Sequence, residues 1–347
     1  MKQPNQFLDS STQTDAGLED IANDAPIDRP AAPKKIHDTT WMLTNANEQQ
    51  IALGIRLEDV QQSANQVTSK GGHELLCSYS WKQTDSPTIY VPGTPATFTF
   101  HDPTKTAIEL AADTGLHWID QHAGRVPTHQ FEPVFQALAA LQSDERFDDV
   151  DIVVNRGSLQ QLLKWVNHKS HQAFHLDLDI VGNTLFLGRK VKKPKAASSA
   201  DSYGRSFEEF FTIEDPELEN ADGHHRMLKY DFGGLNMVVR VEADACVPNT
   251  EYDIEAPVIL HPACDPDSSN GLGISHKGPE VTSVIAKGTL IPQSLMIEPK
   301  SNEDTMPKEQ LWFDRTPSCS LGRIRDNGKF RRLIGKTLSQ ADAEEWE

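Results

Sequence analysis

Two short apolar segments each carry a pair of charged residues two positions apart, and this pattern constrains the fold more than any other feature of the chain. In RVEADAC, Glu242 and Asp244 alternate with apolar residues, and in LMIEPKS, Glu298 and Lys300 follow an apolar run. Side chains two apart on a strand share a face, so each segment predicts an apolar strand with both charges on one side. Because a lone buried charge is costly, we expect the two strands to lie side by side with their charges clustered.

Such a cluster of three carboxylates and one ammonium repels itself unless a divalent cation lies among the acids. Mg²⁺ prefers oxygen ligands and keeps several waters, and two such ions about 4 Å apart can hold the attacking and leaving oxygens of a phosphate ester. A lysine beside them can orient water or offset charge on the phosphoryl oxygens. The two patterns together favour a nuclease centre, although either pair alone is more typical of a solvent-facing strand.

Two further residues fit the same centre. Glu208 in YGRSFEEFF opens a predicted helix, where its carboxylate could complete a metal site; alone, it is an acid favoured by the helix dipole. Arg156 in VDIVVNRGSLQQLLKW lies between a predicted strand and a helix N-terminus, where guanidinium and backbone N–H groups suit a phosphate. Taken alone, this position is more typical of a surface arginine with no ligand.

The rest of the chain alternates between strand and helix patterns, which predicts a mixed α/β (α+β) fold. Strands are expected at LLCSYSW, TIYV, ATFTF, VDIVV, FHLDLDIV and TLFLG. Helices are expected at QFEPVFQALAALQ, at SLQQLLKWV with Ser158 as its cap, at SFEEFFT and around EQLWF. A hairpin turn is expected at Gly233 and Gly234.

Composition predicts the domain organisation. Residues 1–35 have the composition of a disordered tail, and residues 36–347 are expected to form a single domain with a long surface insertion at about 247–280. No stretch reaches the roughly 20 apolar residues of a membrane span. The first residues resemble neither a secretory signal nor a transit peptide, and the four cysteines are scattered. We therefore expect an intracellular, reducing location, in nucleus or cytoplasm.

The formal net charge of −18 excludes a protein that holds nucleic acid by overall positive charge. Phosphate groups must instead meet local basic residues or metal ions. Two segments are locally basic, RKVKKPK at 189–195 and GRIRDNGKFRRLIGK at 322–336. Such runs are usually solvated surface, but beside a nuclease site they would attract a single RNA strand.

In their order along the chain, these motifs resemble the decapping exoribonuclease family of the PD-(D/E)XK nuclease superfamily. The motifs are an Arg-Gly before a Leu-rich helix, G-x-x-F-E, E-x-D, E-x-K, and a Gln ahead of a Pro…Gly strand, here Gln310 in EQLWFDRTPSCSLGRIRD. The resemblance spans about residues 145–330, with a weaker match to fungal relatives around SYSW and TIYVPGTP. It implies a restriction-endonuclease-like core, with a mixed central sheet flanked by helices.

The resemblance also implies an activity and the residues responsible for it. The activity is Mg²⁺- or Mn²⁺-dependent hydrolysis at RNA 5′ ends, with two ions: pyrophosphate removal, decapping of aberrant or nucleotide-capped RNA, and 5′–3′ exoribonuclease digestion in mRNA quality control. The partner would be RNA with a modified or phosphorylated 5′ end. The implied metal ligands are Glu208, Glu242, Asp244, Glu298 and the Pro299 carbonyl. Lys300 would position water, and Arg156 and Gln310 would hold the 5′ phosphate.

Two departures from the family pattern leave alternatives open. Pro299 stands where the family has a large aliphatic residue, and because proline has no N–H, its strand must be an edge or locally bent. The separation of Glu242 from Glu298 is also longer than the family pattern. A catalytically degenerate RNA- or protein-binding relative and a DNA nuclease of the same superfamily are therefore the competing hypotheses.

Overall fold

The computed structural model contains two mixed β-sheets with helices packed against them. It describes residues 40–43, 54–101, 107–141, 143–170, 172–199, 201–248, 281–301, 305–325 and 328–347. All of these residues belong to one unit, Thr39–Glu347. The predicted tail at 1–35 and all but two residues of the predicted insertion at 247–280 lie outside the described residues.

The described chain folds into sixteen strands and six α-helices. The strands are β1 (Glu74–Lys82), β2 (Thr88–Gly93), β3 (Thr97–Phe98), β4 (Leu116–Trp118), β5 (Ile152–Asn155), β6 (His175–Val181), β7 (Thr184–Lys190), β8 (Lys195–Ala197), β9 (Thr212–Ile213), β10 (Ala221–Phe232), β11 (Leu235–Glu242), β12 (Ala245–Cys246), β13 (Ser283–Gly288), β14 (Met296–Ser301), β15 (Ser318–Arg325) and β16 (Lys329–Thr337). The helices are α1 (Gln121–Arg125), α2 (Glu132–Ala140), α3 (Arg156–Val166), α4 (Gly204–Phe211), α5 (Lys308–Asp314) and α6 (Gln340–Trp346). Short 3-10 turns occur at Thr40–Leu43, Leu57–Asp59 and Gln293–Leu295. None of the helices in the described ranges is long and apolar enough to cross a membrane.

Both large sheets mix parallel and antiparallel strands. The eight-stranded sheet has the order β13-β2-β1-β10-β11-β5-β7-β6, with β11, β5 and β7 parallel and the β10–β11 hairpin antiparallel. The six-stranded sheet has the order β16-β15-β14-β12-β3-β9, and β4 pairs with β8 separately. The predicted mixed α+β class is confirmed.

Helices cover both faces of the eight-stranded sheet. On β11, Val238 packs into one core cluster with Val134 of α2, whereas its neighbour Val239 packs into another with Leu159 of α3 and Phe313 of α5. A strand buried on both faces needs apolar residues at consecutive positions, which explains the run MVV in its sequence. The hairpin turn predicted at residues 233 and 234 is confirmed, and both glycines have positive φ.

The predicted start of α3 is wrong. The helix begins at Arg156 directly after β5, so Asn155 holds the N-cap position, although its side chain makes no capping hydrogen bond. Ser158, the predicted cap, is buried inside the first turn. Because no loop separates β5 from α3, the last residue of the strand, Asn155, occupies the N-cap position of the helix.

A buried histidine cluster lies against the α1–β1 region. His122 is 3 % exposed, and its Nε2 lies 2.7 Å from the Tyr79 hydroxyl. Its ring is 4.5 Å from that of His225, centroid to centroid. Burial lowers the pKa of His122 well below its usual range, and Arg240, His225 and Arg125 add to this effect. The imidazole is therefore neutral in the folded protein.

This neutral histidine predicts a loss of stability in acid. At a pH above the ordinary histidine pKa near 6.5, His122 is neutral in both the folded and the unfolded protein. At a pH below 6.5, His122 is protonated in the unfolded protein but stays neutral in the folded one. Folding should then lose about 1.4 kcal/mol per pH unit for this one group. In urea denaturation between pH 7.5 and 5.5, His122→Gln should lose less stability than the unsubstituted protein. His129→Gln changes an exposed histidine and should keep the original pH dependence; equal slopes in all three proteins would contradict the assignment.

Candidate active site

The chain passes from the first large sheet to the second within five residues, Glu242 to Cys246. β11 ends at Glu242, the Ala243 N–H donates to the His224 carbonyl, and Ala245 already pairs with Ile297 of β14. The prediction that Glu242 and Asp244 share one strand face is therefore wrong, because the strand breaks between them. Both acids nevertheless line the same cavity.

β14 carries the second charged pair as predicted. Glu298 and Lys300 share a face, and the Lys300 ammonium contacts Glu298 Oε1. β12 pairs with β14 only at Met296 and Ile297, so the strand is locally an edge at Pro299. This geometry meets the expectation for a residue that has no N–H to donate.

Helix α4 brings Glu208 to the same cavity. Asp113 accepts the Ser206 N–H at 2.9 Å and the Ser202 hydroxyl at 2.6 Å, which fixes the start of the helix. Phe207, with no exposed surface, packs against Gly322 of β15. The residue that follows it, Glu208, is half-buried in the cavity wall.

All of these side chains converge on one cavity of about 580 Å³. Its charged lining includes the four predicted metal ligands, the predicted water-positioning lysine and the predicted phosphate-binding arginine: Glu208, Glu242, Asp244, Glu298, Lys300 and Arg156. We call it the acidic cavity. Glu209, Glu214, Asp222 and Arg205 also line it, so seven carboxylates against three cations give this cavity an excess of negative charge.

Three of the four carboxylates predicted as metal ligands have raised pKa values. Burial raises the pKa of Asp244 well above its usual range, and the neighbouring Glu298 and Glu208 raise it further. Burial also raises the pKa of Glu208 to about 7, with Glu298 and Glu242 adding to the shift. The pKa of Glu242, at the exposed end of β11, is raised by desolvation within the cavity and by Glu298, despite the nearby Arg156. A positive charge among them would stabilise their ionised forms.

Glu298 is the exception. Burial opposes its ionisation, but Lys300 and Arg156 hold its pKa below the usual value. The acids around Lys300 in turn raise its pKa against the effect of burial. Gln310 Nε2 donates to Glu298 Oε1 at 2.6 Å, so the predicted phosphate-binding amide lies against a carboxylate.

Arg156 is fixed by an acid that the sequence did not single out. Its Nε lies 3.1 Å from Oδ1 of Asp314, which is 1 % exposed, and its Nη1 donates to Gln160 Oε1 at 3.0 Å. Burial raises the pKa of Asp314 to about 7 even though Arg156 opposes the shift. Asp314 ends α5, and only the tertiary fold brings that helix against α3.

The donor set of the acidic cavity fits a hard divalent cation. Its carboxylate oxygens are the ligand type that Mg²⁺ and Mn²⁺ take. Pro299 is buried in β14 and is not one of the lining residues, so its carbonyl stays a predicted ligand. In the described ranges, however, no three His, Cys, Asp or Glu side chains converge as a complete metal site. The metal-ligand roles of Glu208, Glu242, Asp244 and Glu298 therefore stay predictions.

Comparisons with known proteins give one family model and several solved structures. The model described as Domain of unknown function (DUF8563) matches residues 50–347. No curated protein matches the sequence. One similar structure is Schizosaccharomyces pombe Rai1 with 3′-FADP, at 10 % identity and a TM-score of 0.47; the match covers 84 % of this chain and 81 % of that one. Another is Candida albicans Rai1 with pU5 and Mn²⁺, at 13 % identity and a TM-score of 0.48; the match covers 83 % of this chain and 76 % of that one. A third is Kluyveromyces lactis Dxo1 with manganese, at 9 % identity and a TM-score of 0.45; the match covers 82 % of this chain and 75 % of that one. These are members of the decapping exonuclease family that the motifs resemble.

The contact between Phe207 and Gly322 allows a test of whether this packing fixes helix α4, which carries Glu208. A Cβ on residue 322 would lie 2.2 Å from a ring carbon of Phe207, so Gly322→Ala must displace helix α4 or β15. Overpacking of this kind should lower the free energy of unfolding by about 1–3 kcal/mol, measured by urea denaturation. Gly335→Ala is the matched control, because a Cβ there meets no atom within 4 Å. Equal stabilities for the two variants would show that this packing does not fix α4.

Proposed function

This chain belongs to the family described as Domain of unknown function (DUF8563), and we propose that it is a divalent-metal-dependent hydrolase acting on RNA 5′ ends. The observation that supports the proposal is the acidic cavity, which Glu208, Asp244 and Glu298 line together with Lys300. The proposed reactions are removal of pyrophosphate or of incomplete and nucleotide caps, followed by 5′–3′ digestion. Each is the hydrolysis of a phosphate bond by water.

The proposed cofactor is a pair of Mg²⁺ or Mn²⁺ ions held by Glu208, Glu242, Asp244, Glu298 and the Pro299 carbonyl. When bound, such ions lower the pKa of a coordinated water and offset charge on the phosphoryl oxygens. The raised pKa values of Asp244, Glu208 and Glu242 support this assignment. Ionised carboxylates at close range repel one another, and a cation bound between them stabilises their charged forms.

The chain's own residues have distinct proposed tasks. Lys300, whose pKa is raised, keeps its proton and can hydrogen-bond a water or a phosphoryl oxygen. Gln310 and Lys300 both contact Glu298 and so fix the orientation of its carboxylate. Arg156, fixed by Asp314, offers its guanidinium beside the N-terminus of α3, where a 5′ phosphate would be attracted.

A basic surface supports RNA as the substrate. The segment 189–195 lines a further cavity of about 630 Å³ together with Trp41, Phe174 and His175. Cationic and aromatic side chains in one groove suit a single strand, because the cations attract phosphates and the rings stack on bases. Of the other basic segment, residues 322–325 lie on β15 and residues 329–336 on β16, at the edge of the second sheet.

Isosteric removal of two acids tests the hydrolase proposal. With 5′-triphosphorylated RNA and Mg²⁺ or Mn²⁺, the double variant Asp244→Asn with Glu298→Gln should lose at least about 100-fold in the rate of product release, because two of the carboxylates proposed to hold the catalytic ions are removed. Asp179→Asn with Glu217→Gln makes the same charge change at two exposed positions and should keep the original rate. An unchanged rate in the first double variant would contradict the proposed site.

The same assay separates the competing functions. A binding-only relative is favoured by one observation, that no three potential ligands in the described chain already converge as a metal site. It predicts no turnover with either ion, and that Pro299→Leu restores some activity. A DNA nuclease would cleave matched 5′-phosphorylated DNA as fast as RNA, whereas an enzyme that senses the 2′-hydroxyl would not.

A further inference from the structure

Strand β6 forms one edge of the eight-stranded sheet. β7 pairs with it on one side, and no strand of the described chain pairs with it on the other. At such an edge, every second residue directs its backbone N–H and C=O groups away from the sheet. The outer side of β6 is therefore a row of hydrogen-bonding groups to which another extended segment can add as a strand.

Two apolar rows cross the α3 face of this sheet and end at β6. Paired positions on β11, β5, β7 and β6 make up each row: Val239, Val154, Leu187 and Leu178 in one, and Met237, Ile152, Leu185 and Ile180 in the other. The first three residues of each row belong to the core cluster of Leu159 or pack against it. The last ones do not, since Leu178 is 62 % exposed and Ile180 is 75 % exposed.

The ends of these rows differ from an ordinary sheet edge. Natural edges are commonly blunted by charges, by proline or by a bulge. On the α3 face of β6, leucine and isoleucine stand there instead, paired with the buried Leu187 and the half-buried Leu185 of β7. An added strand with apolar residues at the same positions would cover both side chains and extend the core by one strand.

The opposite face of β6 carries two acids. Asp177 and Asp179 alternate with the apolar residues, and both are exposed. Asp177 Oδ1 lies 2.9 Å from His175 Nε2, and the residues that β7 pairs with the two acids, Gly188 and Phe186, are uncharged. A strand added at this edge therefore meets apolar side chains on one face and two carboxylates on the other.

The acids argue against a second copy of this chain as the occupant. If two β6 strands paired antiparallel with full overlap, Asp177 of each would lie opposite Asp179 of the other, and like charges opposite each other destabilise a sheet. The net charge of −18 also opposes association between copies. A segment with lysine or arginine on this face meets neither obstacle.

We infer that the β6 edge binds an extended segment of a partner protein in which apolar and basic residues alternate. The apolar residues pack beside Leu178 and Ile180, and the basic ones lie opposite Asp177 and Asp179. Main-chain hydrogen bonds supply affinity in such strand addition, while the alternate side chains supply specificity. The site is separate from the acidic cavity, none of whose lining residues belongs to β6.

Peptide binding to the full chain tests the β6 edge. The probe is a fluorescein-labelled heptapeptide in which lysine and valine alternate, and its fluorescence anisotropy is followed as protein is added. The control peptide has the same composition, with its lysines and valines in two blocks. The alternating peptide should bind at least about tenfold more tightly, because only its pattern matches both faces of the strand. No binding, or equal affinities for the two peptides, would overturn the inference.

Charge reversal on β6 separates a specific site from general attraction. Asp177→Lys with Asp179→Lys should weaken binding of the lysine peptide at least about tenfold, and a peptide alternating glutamate and valine should bind this variant in its place. Glu217→Lys with Glu219→Lys makes the same charge change at two exposed positions outside β6 and should leave binding of the lysine peptide unchanged. Equal weakening in both variants, or no binding of the glutamate peptide, would overturn the site.

A further variant tests the apolar rows. Leu178→Thr with Ile180→Thr keeps residues of high β propensity, so its urea denaturation should match that of the unsubstituted protein, while the lysine peptide should bind at least about fivefold more weakly. Unchanged peptide affinity would contradict the role of the rows. Sedimentation velocity should show a monomer; a dimer that this variant abolishes would place a second copy on the edge and overturn the inference.

Discussion

The passage of the chain from one sheet to the other between Glu242 and Cys246 is the constraint on which the site depends. It ends β11 with a carboxylate and starts β12 against β14, which carries Glu298. Helix α4, packed through Phe207 on the second sheet, adds Glu208. Acids from both sheets thus meet at their junction, where burial opposes the ionisation of most of them. Added positive charge would stabilise their ionised forms together.

The alternation of apolar and charged residues predicted individual strands better than it predicted where the chain passes from one sheet to the other. The alternation in LMIEPKS placed Glu298 and Lys300 correctly on one face, because β14 is a regular strand there. The same rule failed for Glu242 and Asp244, since the alternation EADAC does not reveal that the Ala243 N–H pairs in one sheet and Ala245 in the other. Periodicity describes a strand but not where it changes partners.

Tertiary partners account for what the sequence could not show. Asp314 and Arg156 lie on different helices, and no spacing rule relates them. Arg240 lies in the apolar strand β11 with its guanidinium buried, and the Gln130 carbonyl accepts a hydrogen bond from its Nη1. A charged residue inside an apolar run was the available signal, because such a residue rarely lies buried without a partner. The chain as a whole is acidic, but Arg156, Lys164, Arg189 and Arg240 line one cavity that adjoins the acidic cavity.

The central claim is that a bound divalent cation makes the crowding of acids at the sheet junction tolerable. Crystals of the protein soaked in Mn²⁺ and measured at the manganese absorption edge test it most directly. The account predicts an anomalous peak among the carboxylates of Glu208, Glu242, Asp244 and Glu298. Full soaking with no peak there, or manganese only at surface carboxylates elsewhere, would contradict it.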